Sequence, residues 1–62
     1  MEFKIWELRK EKELSIRDLS RLSGVGKTTI NRFENGEIPK TLLELEKIAK
    51  ALECSIKDLF VE

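Results

Sequence analysis

Lys27, Thr28, Asn31 and Arg32 lie within one short segment, at spacings i, i+1, i+4 and i+5. On a helix that spacing gathers them on one side, opposite Ile30 and Phe33. The set is rich in hydrogen-bond donors and contains no acid. Such a face suits the major groove of duplex DNA. Arginine or lysine can bond guanine O6 and N7, asparagine can bond adenine, and threonine offers a hydroxyl or meets a thymine methyl. Most polar helix faces are only solvated surface, so the weight of this reading rests on what positions the face.

Other chemistries are poorly supplied. There is no histidine and a single cysteine, Cys54. That removes the commonest general base and metal ligand and leaves no thiolate cluster or disulfide framework. Ser23-Gly24-Val25-Gly26-Lys27-Thr28-Thr29 resembles a phosphate-binding loop. That loop needs Gly-x-x-x-x-Gly-Lys-Ser/Thr between a strand and a helix. Here Arg21 stands at the first glycine position and the preceding segment reads as helical. No paired-carboxylate pocket is evident. The expectation is a protein that is not an enzyme and takes no metal or cofactor.

The segment that would present the polar face spans about residues 15–36. It reads as a helix from Ile16 to about Ser23, a turn at Ser23-Gly24-Val25-Gly26, and a second helix from just after Gly26 to Asn35-Gly36. Two short helices joined by a glycine-containing turn form a helix-turn-helix. Gly24 suits a left-handed helix end. Three Ser/Thr-x-x-acid patterns mark helix starts: Ser15…Asp18, Thr41…Glu44 and Ser55…Asp58. In each, the hydroxyl can accept from a free backbone N–H and the acid sits at the positive end of the helix.

The remaining elements follow from periodicity. A first helix is predicted over about Glu2–Lys12, with Ile5, Leu8 and Met1 on one stripe. A fourth is predicted over about Leu42–Leu52, with Leu45, Ile48, Ala49 and Leu52 inward. A short fifth is predicted over Ile56 to about Phe60. Leu19 and Leu22 are expected to face inward from the second helix. Alternating β-branched runs are missing, and Asn35-Gly36 reads as a helix stop. The pattern predicts an all-α, compact five-helix bundle.

With 62 residues, 40% hydrophobic and 39% charged, the chain reads as one small domain over residues 1–62. No apolar run approaches the ~20 residues of a bilayer span, and no secretory signal is visible. A reducing cytoplasm is the expected compartment. Net charge is zero, which argues mildly against nucleic acid. The charge is uneven, though. Residues 1–36 carry eight Lys/Arg against six Asp/Glu, a net of +2, and residues 37–62 carry four against six, a net of −2.

The chain resembles the phage repressor–Cro type helix-turn-helix family, the xenobiotic-response-element type. The resemblance is carried by Leu8-Arg9, Leu14-Ser15, Leu22-Ser23-Gly24-Val25, Ile30…Glu34-Asn35-Gly36 and Ile48-Ala49-Lys50-Ala51-Leu52, with Ser55…Asp58-Leu59-Phe60 beyond. It implies a lambda-repressor-like DNA-binding fold and a transcriptional regulator, a repressor, that binds double-stranded DNA. It would put Lys27 and Thr28 against base edges, Asn31 beside them and Arg32 one turn on. Asn35 and the loop after Gly36 would approach a phosphate through backbone N–H groups, and Arg17 and Lys40 would contact phosphate. Arg9 and Glu34 would form a partly buried structural ion pair. Three places depart from the family pattern. Ile16 stands where glutamine is common, Gly26 where Ser or Thr caps the third helix, and Glu53-Cys54 where Gly-Val is usual.

Family members usually bind palindromic operators as dimers, so a homodimer, at least on DNA, is expected. The competing expectation is a protein-interaction module on the same fold, such as an antitoxin or a regulator's partner. Trp6 should point sideways or outward. Cys54 should pack as a small hydrophobe. Phe60-Val61 should close the core or form an apolar edge.

Overall fold

In the computed structural model, which describes residues 3–60, four short α-helices are set by their ends. They are α1 (Ile5–Glu11), α2 (Ile16–Ser23), α3 (Lys27–Glu34) and α4 (Leu43–Ala51), and a 3-10 turn follows at Ile56–Leu59. Ser15 opens α2 with a reciprocal cap. Its hydroxyl accepts from the Asp18 N–H at 3.0 Å, and its own N–H donates to Asp18 Oδ2 at 3.1 Å. Ser55 donates its N–H and its hydroxyl to Asp58 Oδ2, at 3.2 and 2.9 Å.

Thr41 does not cap α4. Leu42 is the N-cap residue and makes no side-chain cap bond. The helix starts one residue later than the Thr-x-x-acid spacing requires, although Glu44 and Glu46 still lie in its favourable first turn.

Three helices end in the same way. After α1, α3 and α4, a residue with positive φ follows the C-cap: Glu13 at 56°, Gly36 at 95° and Glu53 at 57°. In each case two backbone bonds close the end. They are Leu14 N–H to the Arg9 carbonyl with Glu13 to Lys10, Glu37 to Arg32 with Gly36 to Phe33, and Cys54 to Ala49 with Glu53 to Lys50. This is the Schellman pattern. Glycine fills only one of the three left-handed positions. A left-handed L-residue costs about 1–2 kcal/mol, partly offset by glycine's larger unfolded-state entropy. Glu53→Gly is therefore expected to stabilise the domain by about 0.5–1 kcal/mol, and Glu13→Gly similarly. Urea unfolding checks this, and an unchanged or lower midpoint for both variants would contradict it. The Lys12–Glu53 ion pair lost in the first variant is long, 3.7 Å, and exposed, so its removal matters little.

The core gathers Phe3, Ile5, Leu19, Val25, Ile30, Phe33, Leu45, Ile48, Ala49, Leu52 and Leu59. The helix α2 packs on both α3 and α4, the 3-10 turn packs on α4, and α1 touches α3. Leu8 is half-buried against this core. Leu22 is 55% exposed, contrary to expectation. The inward stripe of α2 passes through Ile16, Leu19, Ser20 and Ser23, which are buried or half-buried, at i, i+3, i+4 and i+7. Leu22 lies off that stripe.

The first helix starts at Ile5, later than its periodicity suggested. Phe3 instead pairs with Phe60 in an isolated antiparallel bridge, and the Lys4 N–H donates to the Leu59 carbonyl at 2.6 Å. The Phe3 ring meets the rings of Phe33 and Phe60, at centroid distances of 6.1 and 5.2 Å. Extended backbone at Phe60 stops the expected fifth helix after a single 3-10 turn. Four helices and that turn therefore replace the five-helix count, and no strand forms among the described residues. The expected roles of Met1 and Val61 lie outside those residues.

The capping acids carry a pH dependence. The Ser15 N–H and hydroxyl, helped by Arg21 and Arg17, hold the Asp18 carboxyl below its ordinary 3.8. The Ser55 hydroxyl and N–H do the same at Asp58. A carboxyl depressed by folding adds stability that is complete above its unfolded value and is lost as pH falls through the lowered one. The melting temperature should therefore fall as pH drops below about 4, and Asp18→Asn should flatten that fall. An Asp18→Asn acid profile parallel to that of the unmodified chain would remove the cap from the account.

Candidate nucleic-acid interface

The turn between α2 and α3 is held from both sides. Gly24 takes φ 78°, where glycine is the inexpensive choice, and its N–H donates to the Ser20 carbonyl. The Val25 N–H donates to Ser23 Oγ at 3.1 Å, and the Val25 side chain is buried. These contacts fix where α3 starts. Gly26 caps α3 with no side-chain bond. A Cβ there would meet only Thr29 Oγ1, at 4.0 Å, so packing does not demand glycine.

Along α3, Ile30 and Phe33 are buried in the core and anchor the helix. Lys27, Thr28, Asn31 and Arg32 are all exposed, while Thr29 is half-buried. The eight-residue helix, about 12 Å long, thus presents one open polar edge on an apolar anchor.

The far end of α3 is tied to α1. Arg9 Nε donates to Glu34 Oε2 at 3.0 Å, Nη2 donates to Oε1 at 3.3 Å, and Nη1 donates to the Leu14 carbonyl at 3.0 Å. Both side chains are nearly buried, at 7% and 8% exposure. A two-point bond of this kind restricts rotation of α3 as well as its distance from α1.

A family model for the Cro/C1-type HTH DNA-binding domain matches residues 4–61. The chain belongs to this family. The crystal structure of an HTH_3 family transcriptional regulator from Vibrio cholerae is similar to it, with a TM-score of 0.78 and 36% identity over 89% of this chain and 31% of that one. The chain therefore spans about a third of that regulator's length. No curated protein matches.

In this Cro/C1-type domain, Arg17 at the start of α2, Asn35 after α3 and Lys40 in the following loop are exposed. Arg17, Lys27 and Lys40 make no ion pair with another described residue, whereas Arg32 Nε lies 3.7 Å from Glu37 Oε2. The N–H groups of Asn35, Gly36 and Glu37 are already bonded to carbonyls of Asn31, Arg32 and Phe33. The expected approach of that stretch to phosphate through backbone N–H groups is therefore closed at these three residues. The Asn35 side chain remains free to serve. Ile16 is half-buried against the core, so the position where relatives carry glutamine points inward.

Glu37 is the acidic neighbour of Arg32 that sequence reasoning did not place. Its signal was available: Asn35-Gly36 ends a helix in a Schellman motif, and that motif returns the next residue to the carbonyl five positions back.

Trp6 is 49% exposed, and the Lys10 ammonium sits 5.5 Å from its ring centroid, a surface cation–π contact. Cys54 is half-buried against the core, and burial pushes its thiol up. That keeps it a packing group. Among the described residues no cluster of His, Cys, Asp or Glu could hold a metal, and no helix is long and apolar enough to cross a membrane.

Proposed function

We propose that this Cro/C1-type domain acts as a sequence-specific transcriptional regulator, a repressor in the cytoplasm, with residues 1–62 working as one helix-turn-helix unit. The observation that carries the reading is the open edge of α3. Lys27, Thr28, Asn31 and Arg32 face solvent together while Ile30 and Phe33 hold the helix from behind. The helix α3 enters the major groove and these four side chains meet base edges. Arg17, Asn35 and Lys40 bond phosphates and fix the register. A single domain of zero net charge gains little from non-specific attraction. Two copies on a palindromic site supply the missing affinity, and occupancy of the site blocks other proteins.

Selection of bound sequences from random duplex DNA tests the reading. Enrichment of a palindrome with a defined half-site is expected. Failure to enrich any sequence at low salt would overturn it.

A second reading is favoured by one observation. Ile38, Leu42 and Leu43 are 65%, 59% and 57% exposed within six residues of chain. Such a patch fits a protein partner, as for an antitoxin or a regulator's partner. Salt separates the two readings. Binding by several cations to phosphate weakens steeply as salt rises, whereas an apolar protein contact hardly changes.

A further inference from the structure

We propose that Ile38, Leu42 and Leu43 form the contact through which two copies of the domain meet on adjacent half-sites, and that this contact holds only while both copies are on DNA. The inference rests on the DNA-reading role proposed for α3, and it names the face that pairing on a palindrome uses.

Ile38 and Leu42 stand in the loop between α3 and α4, and Leu43 is the first residue of α4. All three are more than half exposed, and large apolar side chains gathered in water mark an interaction site. The loop that carries them adjoins the reading edge. Thr29 and Arg32 of α3 border the same cleft, of about 210 Å³, as Ile38 and Lys40 of the loop. A partner on this patch therefore sits beside whatever DNA α3 reads.

Area decides which partner that is. Together the three side chains expose on the order of 300 Å², less than half of the ~800 Å² per partner in a standard interface. Two copies face to face would bury roughly 600 Å², well short of the ~1,200 Å² at which stable interfaces begin. So small a contact does not hold a partner met by diffusion. It does hold one already fixed next to it, whose effective concentration is of millimolar order. On a palindrome that neighbour is a second copy of this chain. Two-fold pairing sets the patch against itself, and apolar side chains need no complementary charge to do so. The zero net charge of the chain adds no long-range repulsion.

The dimensions agree. The Cα atoms span 24 × 20 × 18 Å, and side chains add about 3 Å on each side. Half-sites one helical turn apart put the two reading helices about 34 Å apart. Bodies of this width on that spacing meet only at their facing edges, so a small contact is what the geometry allows.

The test compares the unmodified chain with the double variant Leu42→Gln, Leu43→Gln, which keeps size and charge. Each is titrated on a duplex with one half-site, on the selected palindrome, and on the palindrome with half a turn (roughly five base pairs) inserted at its centre. The unmodified chain should bind the second half-site of the palindrome about tenfold more tightly than an isolated half-site. The insertion and the double variant should each abolish that gain, with affinity for the single half-site changed less than twofold. Both chains should sediment as monomers at roughly 100 µM, below the millimolar range in which the contact acts. Circular dichroism melting checks the fold, and Ile38→Gln, which should reduce the gain, serves if the double variant melts early. A gain that survives the substitutions would overturn the proposal. So would a dimer in solution that the substitutions leave intact, or a selected site with a single half. If the unmodified chain binds one half-site without any gain on two, the contact is lost, the DNA-reading role stands, and the patch is left to a different protein. If it binds no duplex, the DNA-reading role fails and this inference fails with it.

Discussion

Glu34→Ala is expected to destabilise the domain by about 3–5 kcal/mol, because it leaves the Arg9 guanidinium buried and without its counter-charge. Arg9 is 6% exposed, and after the loss only the Leu14 carbonyl, at 3.0 Å, still accepts from it. A domain of about 60 residues has little stability in reserve. The loss should lower the melting midpoint by roughly 15 °C or more, and leave the domain partly unfolded at ambient temperature. Replacing both residues with methionine removes the charges together. It should come within about 1–2 kcal/mol of the unmodified chain, since a buried ion pair need not be more stabilising than apolar side chains of similar volume. Thermal and urea unfolding of the two variants measure the difference. A loss under 1 kcal/mol for Glu34→Ala would mean that α1 and α3 are held by their apolar contacts alone.

The double variant also separates stability from function. The pair joins α1 to the last turn of α3, two residues beyond Arg32. Methionines can restore burial, but not the directed two-point bond.

The helices were legible because local signals agreed. Ser15…Asp18, Gly24 and Asn35-Gly36 each name a helix end by a chemistry that needs no distant partner, and the structure uses all of them. Thr41…Glu44 carries the same signal and is not used. Its helix begins at Leu43, so the loop from Glu37 to Leu42 sets the start, and the cap spacing is one residue out. Leu22 misled for a different reason. Three-residue spacing from Leu19 fits a helix stripe as well as four-residue spacing does, and hydrophobicity favoured leucine over Ser20 and Ser23. Close neighbours on both sides of α2 accept the small serines. Phe3, Val25 and Leu59 were overlooked as core because each lies outside a long periodic run. Their burial depends on the chain ends meeting at Phe3 and Phe60 and on the turn at Gly24, and periodicity carries no information on either. The polar edge of α3 was legible because Ile30 and Phe33 fix its rotation. The acid beside it lies outside the periodicity of the helix, and only the Asn35-Gly36 ending, which returns Glu37 to the Arg32 carbonyl, signals it.

The edge of α3 separates into reading and clamping residues by their response to sequence and to salt. Arg32→Ala should weaken binding to the selected site by about 1–3 kcal/mol and relax the preference at one base pair, because a guanidinium on guanine carries sequence information. Lys40→Ala should weaken all sequences alike and reduce the salt slope by about 1, because a phosphate contact releases counterions and reads nothing. Arg32 also starts from a pair with Glu37 at 3.7 Å, so part of its gain on the operator is offset by leaving that carboxylate. The measured loss should therefore lie toward the lower end of the range, and become larger when measured against Glu37→Gln. Gel-shift titrations on the selected duplex and on single-base variants resolve the two behaviours. If Arg32→Ala and Lys40→Ala both bind as the unmodified chain does, the edge from Lys27 to Arg32 is not the reading surface. The exposed apolar side chains from Ile38 to Leu43 would then become the stronger candidate for recognition.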